Sequence, residues 1–83
     1  METERLSWYA GLVRHTEADR ELAARHVMEG EEHVAHQEVF LAELIRDGHE
    51  REAAEARRVL EALQTLLRLA RKYLHRVRER ESG

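Results

Sequence analysis

The sequence predicts an all-α fold, a two-helix antiparallel hairpin that dimerises into a four-helix bundle. The first observation is the stretch Asp47-Gly48-His49, which interrupts two long segments of helical pattern. The second is that none of the 83 residues is proline. The third is the composition, with 37% charged residues and abundant alanine, leucine, glutamate and arginine, which is typical of long helices and coiled coils.

The turn is predicted from Gly48, which follows an apolar run that ends at Ile45. Glycine ends many helices because the left-handed C′ position costs a residue with a Cβ about 1 kcal/mol or more. Arg46 before the turn and Glu50 after it complement the dipoles of the two helix ends. His49 is a poor N-cap, so the start of the second helix is predicted only to within a couple of residues. A connection this short makes the two helices antiparallel.

The domain organisation follows from a second capping signal near the N-terminus. Thr16 is a good N-cap, and Asp19 three residues later forms a capping-box-like pair with it. We therefore expect residues 1–15 to form a separate N-terminal arm or short helix, which carries Trp8 and Tyr9. The hairpin then occupies residues 16–80, with helix 1 at about 17–47, the turn at 47–49, helix 2 at about 50–80 and a frayed tail at 81–83.

Helix 1 carries an apolar seam whose spacings alternate between four and three residues, as in a heptad repeat. The seam consists of Ala23, Val27, Gly30, Val34, Gln37, Leu41 and Leu44. A glycine inside a helix costs about 1 kcal/mol relative to alanine, so Gly30 predicts a close helix crossing. Gln37 is expected to form a hydrogen bond across the seam and to help set the register of the two helices.

Helix 2 carries a seam with the same alternation, followed by a second apolar row. The seam consists of Ala56, Leu60, Leu63, Leu67, Ala70, Leu74 and Val77. The second row, Val59, Leu66 and Tyr73, repeats every seven residues beside it. Three apolar positions per heptad make a stripe that is wider than a contact between two helices requires. The sequence therefore predicts that two hairpins associate, with Leu63 and Leu67 contributing most to the core.

One cluster on helix 1 suggests chemistry. His26, Glu29, His33 and His36 are the candidate metal ligands. Their spacings of three, four and three place them on one stripe about 80° wide, bracketed by Leu22 and Phe40. Imidazole and carboxylate groups one turn apart can share a divalent metal ion, and a two-fold axis could join two such stripes. The pattern lacks the Glu-x-x-His pair of di-iron bundles, because Gly30 lies three residues before His33.

We prefer a simpler interpretation of this stripe, in which it flanks the seam and forms ordinary i,i+4 pairs, Glu29 with His33 and Glu32 with His36. No cofactor is then expected. A third interpretation is pH sensing, since histidines near a dimer axis repel each other once they are protonated.

The charge is unevenly distributed along the chain. Residues 1–47 carry 5 basic and 11 acidic side chains, a balance of −6, and residues 48–83 carry 9 basic and 6 acidic ones, a balance of +3. In the hairpin the basic end of helix 2 lies beside the acidic start of helix 1. Nucleic-acid binding would use Arg68, Arg71, Arg76 and Arg78. The total charge of −3 and the absence of a helix-turn-helix spacing disfavour it.

The sequence also disfavours catalysis and membrane insertion. The hydroxyl side chains are scattered and the chain contains no cysteine, so no nucleophile lies near a base on a preorganised element. No run approaches 18 apolar residues. The opening Met-Glu-Thr-Glu lacks the basic and apolar regions of a signal peptide. We expect a cytoplasmic, non-enzymatic oligomerisation or protein-interaction module, such as a small regulatory accessory protein, with a second copy and an unknown protein as partners.

Two segments carry a resemblance to a known group. Residues 25–37 read Arg-His-Val-x-Glu-Gly-Glu-x-His-Val-x-x-Gln, and residues 44–49 read Leu-x-x-Asp-Gly-His. Together with the alanine- and leucine-rich second helix, they resemble a group of small uncharacterised, mainly proteobacterial proteins. The resemblance covers residues 20–75 and implies a helical hairpin, without an activity, ligand or partner. This chain departs from the group in lacking a Thr or Asp cap after the Gly-His pair.

Overall fold

The chain forms two helices, α1 (Glu2–Arg46) and α2 (Glu50–Ser82), in a computed structural model. The structure describes the backbone of residues 2–82 and the side chains of residues 18–80. The two helices pack side by side and antiparallel, which confirms the predicted all-α hairpin. The molecule measures 68 × 25 × 14 Å, so it is a slab only one helix thick.

The turn is a Schellman motif centred on Gly48, whose φ of 77° is in the left-handed region. The backbone N–H of Gly48 donates to the carbonyl of Ile45 at 3.2 Å, and that of His49 donates to the carbonyl of Leu44 at 2.9 Å. The carbonyl of His49 already accepts a hydrogen bond from the N–H of Ala53 at 2.8 Å. The chain therefore leaves α1 and enters α2 with no extra loop, as the sequence predicted.

The core lies along the two predicted seams. The buried seam residues are Ala23, Ala56, Leu67, Leu74 and Val77, and every other seam residue is half-buried. Ala53 is also buried, although the predicted seam of helix 2 begins only at Ala56. Leu67 is 7% exposed, whereas Leu63, which we expected to matter equally, is half-buried. Among the residues with described side chains, no large one is completely buried. One hairpin thus encloses only a thin apolar core.

Two polar or small positions in the seam of α1 behave as predicted. A Cβ built on Gly30 would lie 3.0 Å from Cδ1 of Leu67, so glycine permits the close approach of the helices. The side-chain Nε2 of Gln37 donates to the backbone carbonyl of Ala56 at 3.0 Å, across the seam. These two contacts fix the register of α1 against α2.

The start of α1 differs from the prediction. The helix begins at Glu2 and runs through Thr16 without a break, so the backbone shows no boundary between residues 1–15 and a helix starting near Glu17. A threonine inside a helix costs less than about 1 kcal/mol relative to alanine, and no proline forces a break. Continuing the helix therefore costs less than ending it and capping a new one. The expected packing of Trp8 and Tyr9 lies outside the described side chains.

The end of α2 lies slightly beyond the predicted one. We placed it near Arg80, and the helix extends to Ser82. A difference of this size is within the usual spread of helix-end assignments. Neither helix, over its described residues, is long and apolar enough to cross a membrane.

Candidate functional site

A groove of about 260 Å³ lies on one face of the hairpin, between α1 and α2. Its lining residues are His26, Glu29, Gly30, His33, Leu63, Leu66, Leu67 and Ala70. The groove lies beside the close contact of Gly30 with Leu67, and the longer side chains of the histidine stripe line one side of it. The histidine stripe of α1 and the second apolar row of α2 therefore share one face.

We call this surface the histidine face. On α1 it comprises Leu22, His26, Glu29, His33, His36 and Phe40, and on α2 it comprises Val59, Leu66 and Tyr73. The residues outside the groove belong to it by their heptad spacing, since positions seven residues apart lie on the same side of a helix packed in this way. Leu22 and His36 repeat the position of Glu29, and Phe40 repeats that of His33.

Large apolar side chains are exposed on the histidine face. Leu66 at its centre is 62% exposed, and Leu22, Phe40, Val59 and Tyr73 are each about half exposed. Single exposed apolar residues are common on protein surfaces, but several on one face are typical of a contact surface. The sequence predicted this excess on α2 from the second apolar row. It did not predict that Leu22 and Phe40 of α1 extend the same surface.

The opposite face of the slab carries charged side chains together with two exposed apolar ones, Met28 and Ile45, which are 63% and 54% exposed. There, Nη2 of Arg71 lies 3.4 Å from Oε1 of Glu31, and both side chains are more than half exposed. Glu31 lies well inside α1, beyond the acidic start that the sequence places beside the basic end of α2. An exposed pair of this kind contributes about 0–1 kcal/mol, so it orients the helices more than it stabilises them.

The candidate metal ligands all have exposed side chains, and three of them, His26, Glu29 and His33, line the groove. Along a helix, residues seven apart are separated by about 10.5 Å, so His26 and His33 lie two helical turns apart. Among residues 18–80, no three histidine, aspartate or glutamate side chains are close enough to hold a metal ion. A single chain therefore supplies at most a pair of adjacent ligands from this stripe.

The expected i,i+4 pairs of the stripe are not formed among the described side chains. Neither Glu29 with His33 nor Glu32 with His36 makes an ion pair, whereas His75 Nε2 and Glu79 Oε1 lie 2.9 Å apart on α2. An exposed helix pair gains only a few tenths of a kcal/mol, so other side-chain conformations compete with it. The imidazole and carboxylate groups of the histidine face thus remain available for intermolecular contacts.

The arginines considered for nucleic-acid binding are exposed, and three of them, Arg68, Arg71 and Arg78, lie within about 80° on one side of α2. Arg76 lies about 140° around the helix from Arg71, at 100° per residue. Arg71 is also paired with Glu31. A duplex contacts one side of a helix, so Arg76 would not act with the other three, and the electrostatic footprint is small.

No protein-family model, curated protein or solved structure matches this chain.

Proposed function

We propose that this protein is a non-enzymatic self-association module, in which two hairpins pair through their histidine faces to form a four-helix bundle. The supporting observation is the set of five exposed apolar side chains on that face, Leu22, Phe40, Val59, Leu66 and Tyr73. Fully burying a side chain of this size contributes about 1.5–3 kcal/mol, so covering the exposed part of each contributes roughly 1 kcal/mol. Association would then stabilise the hairpin, whose own apolar core is thin, by several kcal/mol in total.

The size of the chain supports the same proposal. Domains of this length bury a smaller fraction of their unfolded surface than larger domains do, and those without disulfides or metals often gain stability by oligomerising. This chain contains no cysteine. A dimeric bundle would present the charged faces of both hairpins to solvent, where a further protein partner could bind.

The chemistry of the groove supports binding more than catalysis. Its described lining offers imidazole, carboxylate and aliphatic groups, but no hydroxyl or thiol that could act as a nucleophile. The groove is also open along its length, so it would not exclude water from a reacting group.

Sedimentation equilibrium of the purified chain over a range of micromolar concentrations tests this proposal. We expect a dimer whose dissociation constant rises when Leu66 is replaced by glutamate, because the change places a charge at the centre of the face. The control is Met28→Glu, since Met28 is 63% exposed but lies on the opposite face of the hairpin, three residues before Glu31. A compact monomer at all concentrations would overturn the proposal.

A second candidate function is metal binding by a bundle, favoured by the observation that His26, Glu29 and His33 line one groove. Since one chain supplies too few ligands, the site would need a second copy to complete it. Native mass spectrometry without chelator, together with thermal melts with zinc and with chelator, tests this candidate. Metal binding predicts added mass and a raised melting temperature, both lost in the His26→Ala/His33→Ala variant. Identical melts would exclude it.

A further inference from the structure

The α1 part of the histidine face is symmetric about its own middle, at position 31. Three pairs of residues are equidistant from that position: Leu22 with Phe40, His26 with His36, and Glu29 with His33. Large apolar side chains therefore occupy both ends of the stripe, histidines occupy the intermediate positions, and a carboxylate and an imidazole flank the centre.

The α2 part of the face has the same kind of symmetry about Leu66. Val59 and Tyr73 lie seven residues on either side of it. Glu52 and Arg80 lie fourteen residues on either side of it, in the same heptad row. Apolar side chains thus match across the centre, and an acidic residue at one end matches a basic residue at the other.

The two centres lie at the same level of the hairpin. Leu66 is adjacent to Leu67, which contacts Gly30, and Gly30 is adjacent to position 31. The groove beside Gly30 marks this common level. A surface that repeats itself about one point is complementary to its own copy under a two-fold rotation, which is the requirement for an isologous dimer.

We propose that a second copy of this chain covers the histidine face, related by a two-fold axis that is perpendicular to the helices and crosses the groove beside Gly30. The turns of the two hairpins then lie at opposite ends of the bundle, with α1 against α1 and α2 against α2. Leu66 meets Leu66 of the second copy, and Leu22 faces Phe40 of the second copy. This inference rests on the proposed self-association and specifies its geometry.

Charge complementarity favours this arrangement. Glu29 faces His33 of the second copy, and Glu52 faces Arg80 of the second copy, and symmetry forms each pair twice. Asp19 and Glu43 also become opposed, near the ends of the interface, where water and salt screen like charges.

The alternative arrangement places both turns at the same end, so that α1 packs on α2 of the second copy. Glu29 would then lie against Leu66 of the second copy, with no imidazole facing it. Covering a carboxylate without a partner is costly, so the opposite-end arrangement is favoured.

Engineered cysteines test the geometry directly, because the natural chain has none. A disulfide requires Cα atoms about 4.4–6.8 Å apart, so it reports which positions meet. Under mild oxidation, we expect Leu66→Cys to form a covalent dimer by itself. We also expect a mixture of Leu22→Cys and Phe40→Cys chains to form the mixed dimer, which mass spectrometry distinguishes from the two homodimers.

Two comparisons make the result decisive. Met28→Cys, on the opposite face of the hairpin, should form little covalent dimer. Cross-linking as extensive as that of Leu66→Cys would show random collision and overturn the proposal. A mixture of Leu22→Cys and Tyr73→Cys should also remain unlinked. If that mixture links and the Leu22→Cys/Phe40→Cys mixture does not, the same-end arrangement is correct and only the geometry proposed here fails.

A chain that sediments as a monomer would instead exclude self-association itself. Circular dichroism of each variant confirms that its helices are intact.

Discussion

Gly30 of α1 lies directly against Leu67 of α2, and a Cβ at position 30 would come within 3.0 Å of Leu67 Cδ1. Cα and Cβ of Leu67 would be at 3.8 and 3.6 Å from the added carbon, which are ordinary contact distances. The only tight contact is therefore with the end of a flexible side chain that borders an open groove. Substitutions at position 30 can therefore show how much glycine costs in helix propensity and how much close packing against Leu67 contributes.

Gly30→Ala should raise the free energy of unfolding by up to about 1 kcal/mol, because alanine restores helix propensity and Leu67 Cδ1 can move a few tenths of an ångström into the groove. Gly30→Leu should instead lower it by about 1–3 kcal/mol, since a larger side chain forces the helices apart. Urea titrations at one fixed protein concentration measure both changes. A loss of stability in the alanine variant would show that the crossing cannot adjust.

Gly48→Ala should lower the free energy of unfolding by about 1–2 kcal/mol. The reason is the backbone alone, because φ is 77° and no atom lies within 4 Å of the position that a Cβ would occupy. Gly48→Asn is the matched comparison, since asparagine tolerates the left-handed region better and should cost less. Equal losses for alanine and asparagine would indicate that φ does not determine the effect.

Gln37→Ala should lower the free energy of unfolding by about 1 kcal/mol, through loss of its hydrogen bond to the carbonyl of Ala56 and of its packing in the seam. Gln37→Leu should be close to neutral. The carbonyl of Ala56 keeps its hydrogen bond within α2, and leucine fills the seam with an apolar group of similar size. Denaturant titration measures both, and a leucine variant as unstable as the alanine variant would show that the amide itself is required.

Leu67→Ala and Leu69→Ala compare the same substitution on two sides of α2. Leu67 is 7% exposed. Its truncation to alanine should lower the free energy of unfolding by about 2–5 kcal/mol, which can unfold a hairpin of this size. Leu69 is 55% exposed, so its truncation should lower the free energy of unfolding by well under about 1 kcal/mol. Thermal melts followed by circular dichroism measure the difference. Similar melting temperatures for the two variants would contradict the assignment of the seam.

The seams could be predicted residue by residue because the helix fixes the angle between successive side chains. Alternation of four and three residues selects one side of a helix, and in the structure that side is the buried or half-buried one. Gly48 could be predicted because a left-handed residue at a helix end strongly favours glycine. Gly30 and Gln37 could be predicted because each would be unfavourable in a seam without a close crossing or a hydrogen bond.

The start of α1 could not be predicted in the same way. A cap such as Thr16 contributes about 1 kcal/mol, which is comparable with the gain from simply continuing a helix through residues that tolerate it. The pairs Glu29 with His33 and Glu32 with His36 failed for a related reason, since exposed side-chain pairs are too weak to select one conformation.

The groove was missed because it depends on two helices at once. The stripe on α1 and the second row on α2 were each visible in the sequence. Their shared face follows from the handedness of the antiparallel pair and from the register set by Gln37 with Ala56 and Gly30 with Leu67. The available signal was the seven-residue spacing of Leu22 from Glu29 and of Phe40 from His33.

The Schellman turn also has a consequence for how the hairpin folds. A contact between α1 and α2 that lies farther from Gly48 joins residues that are farther apart in the chain. Gln37 and Ala56 are 19 residues apart, whereas Glu31 and Arg71 are 40 residues apart. The entropy of closing a loop grows with its length, so the helices should join first beside the turn and zip outwards. Amide protons near Leu41 and Ala56 should then exchange with solvent more slowly than those near Ala23 and Val77.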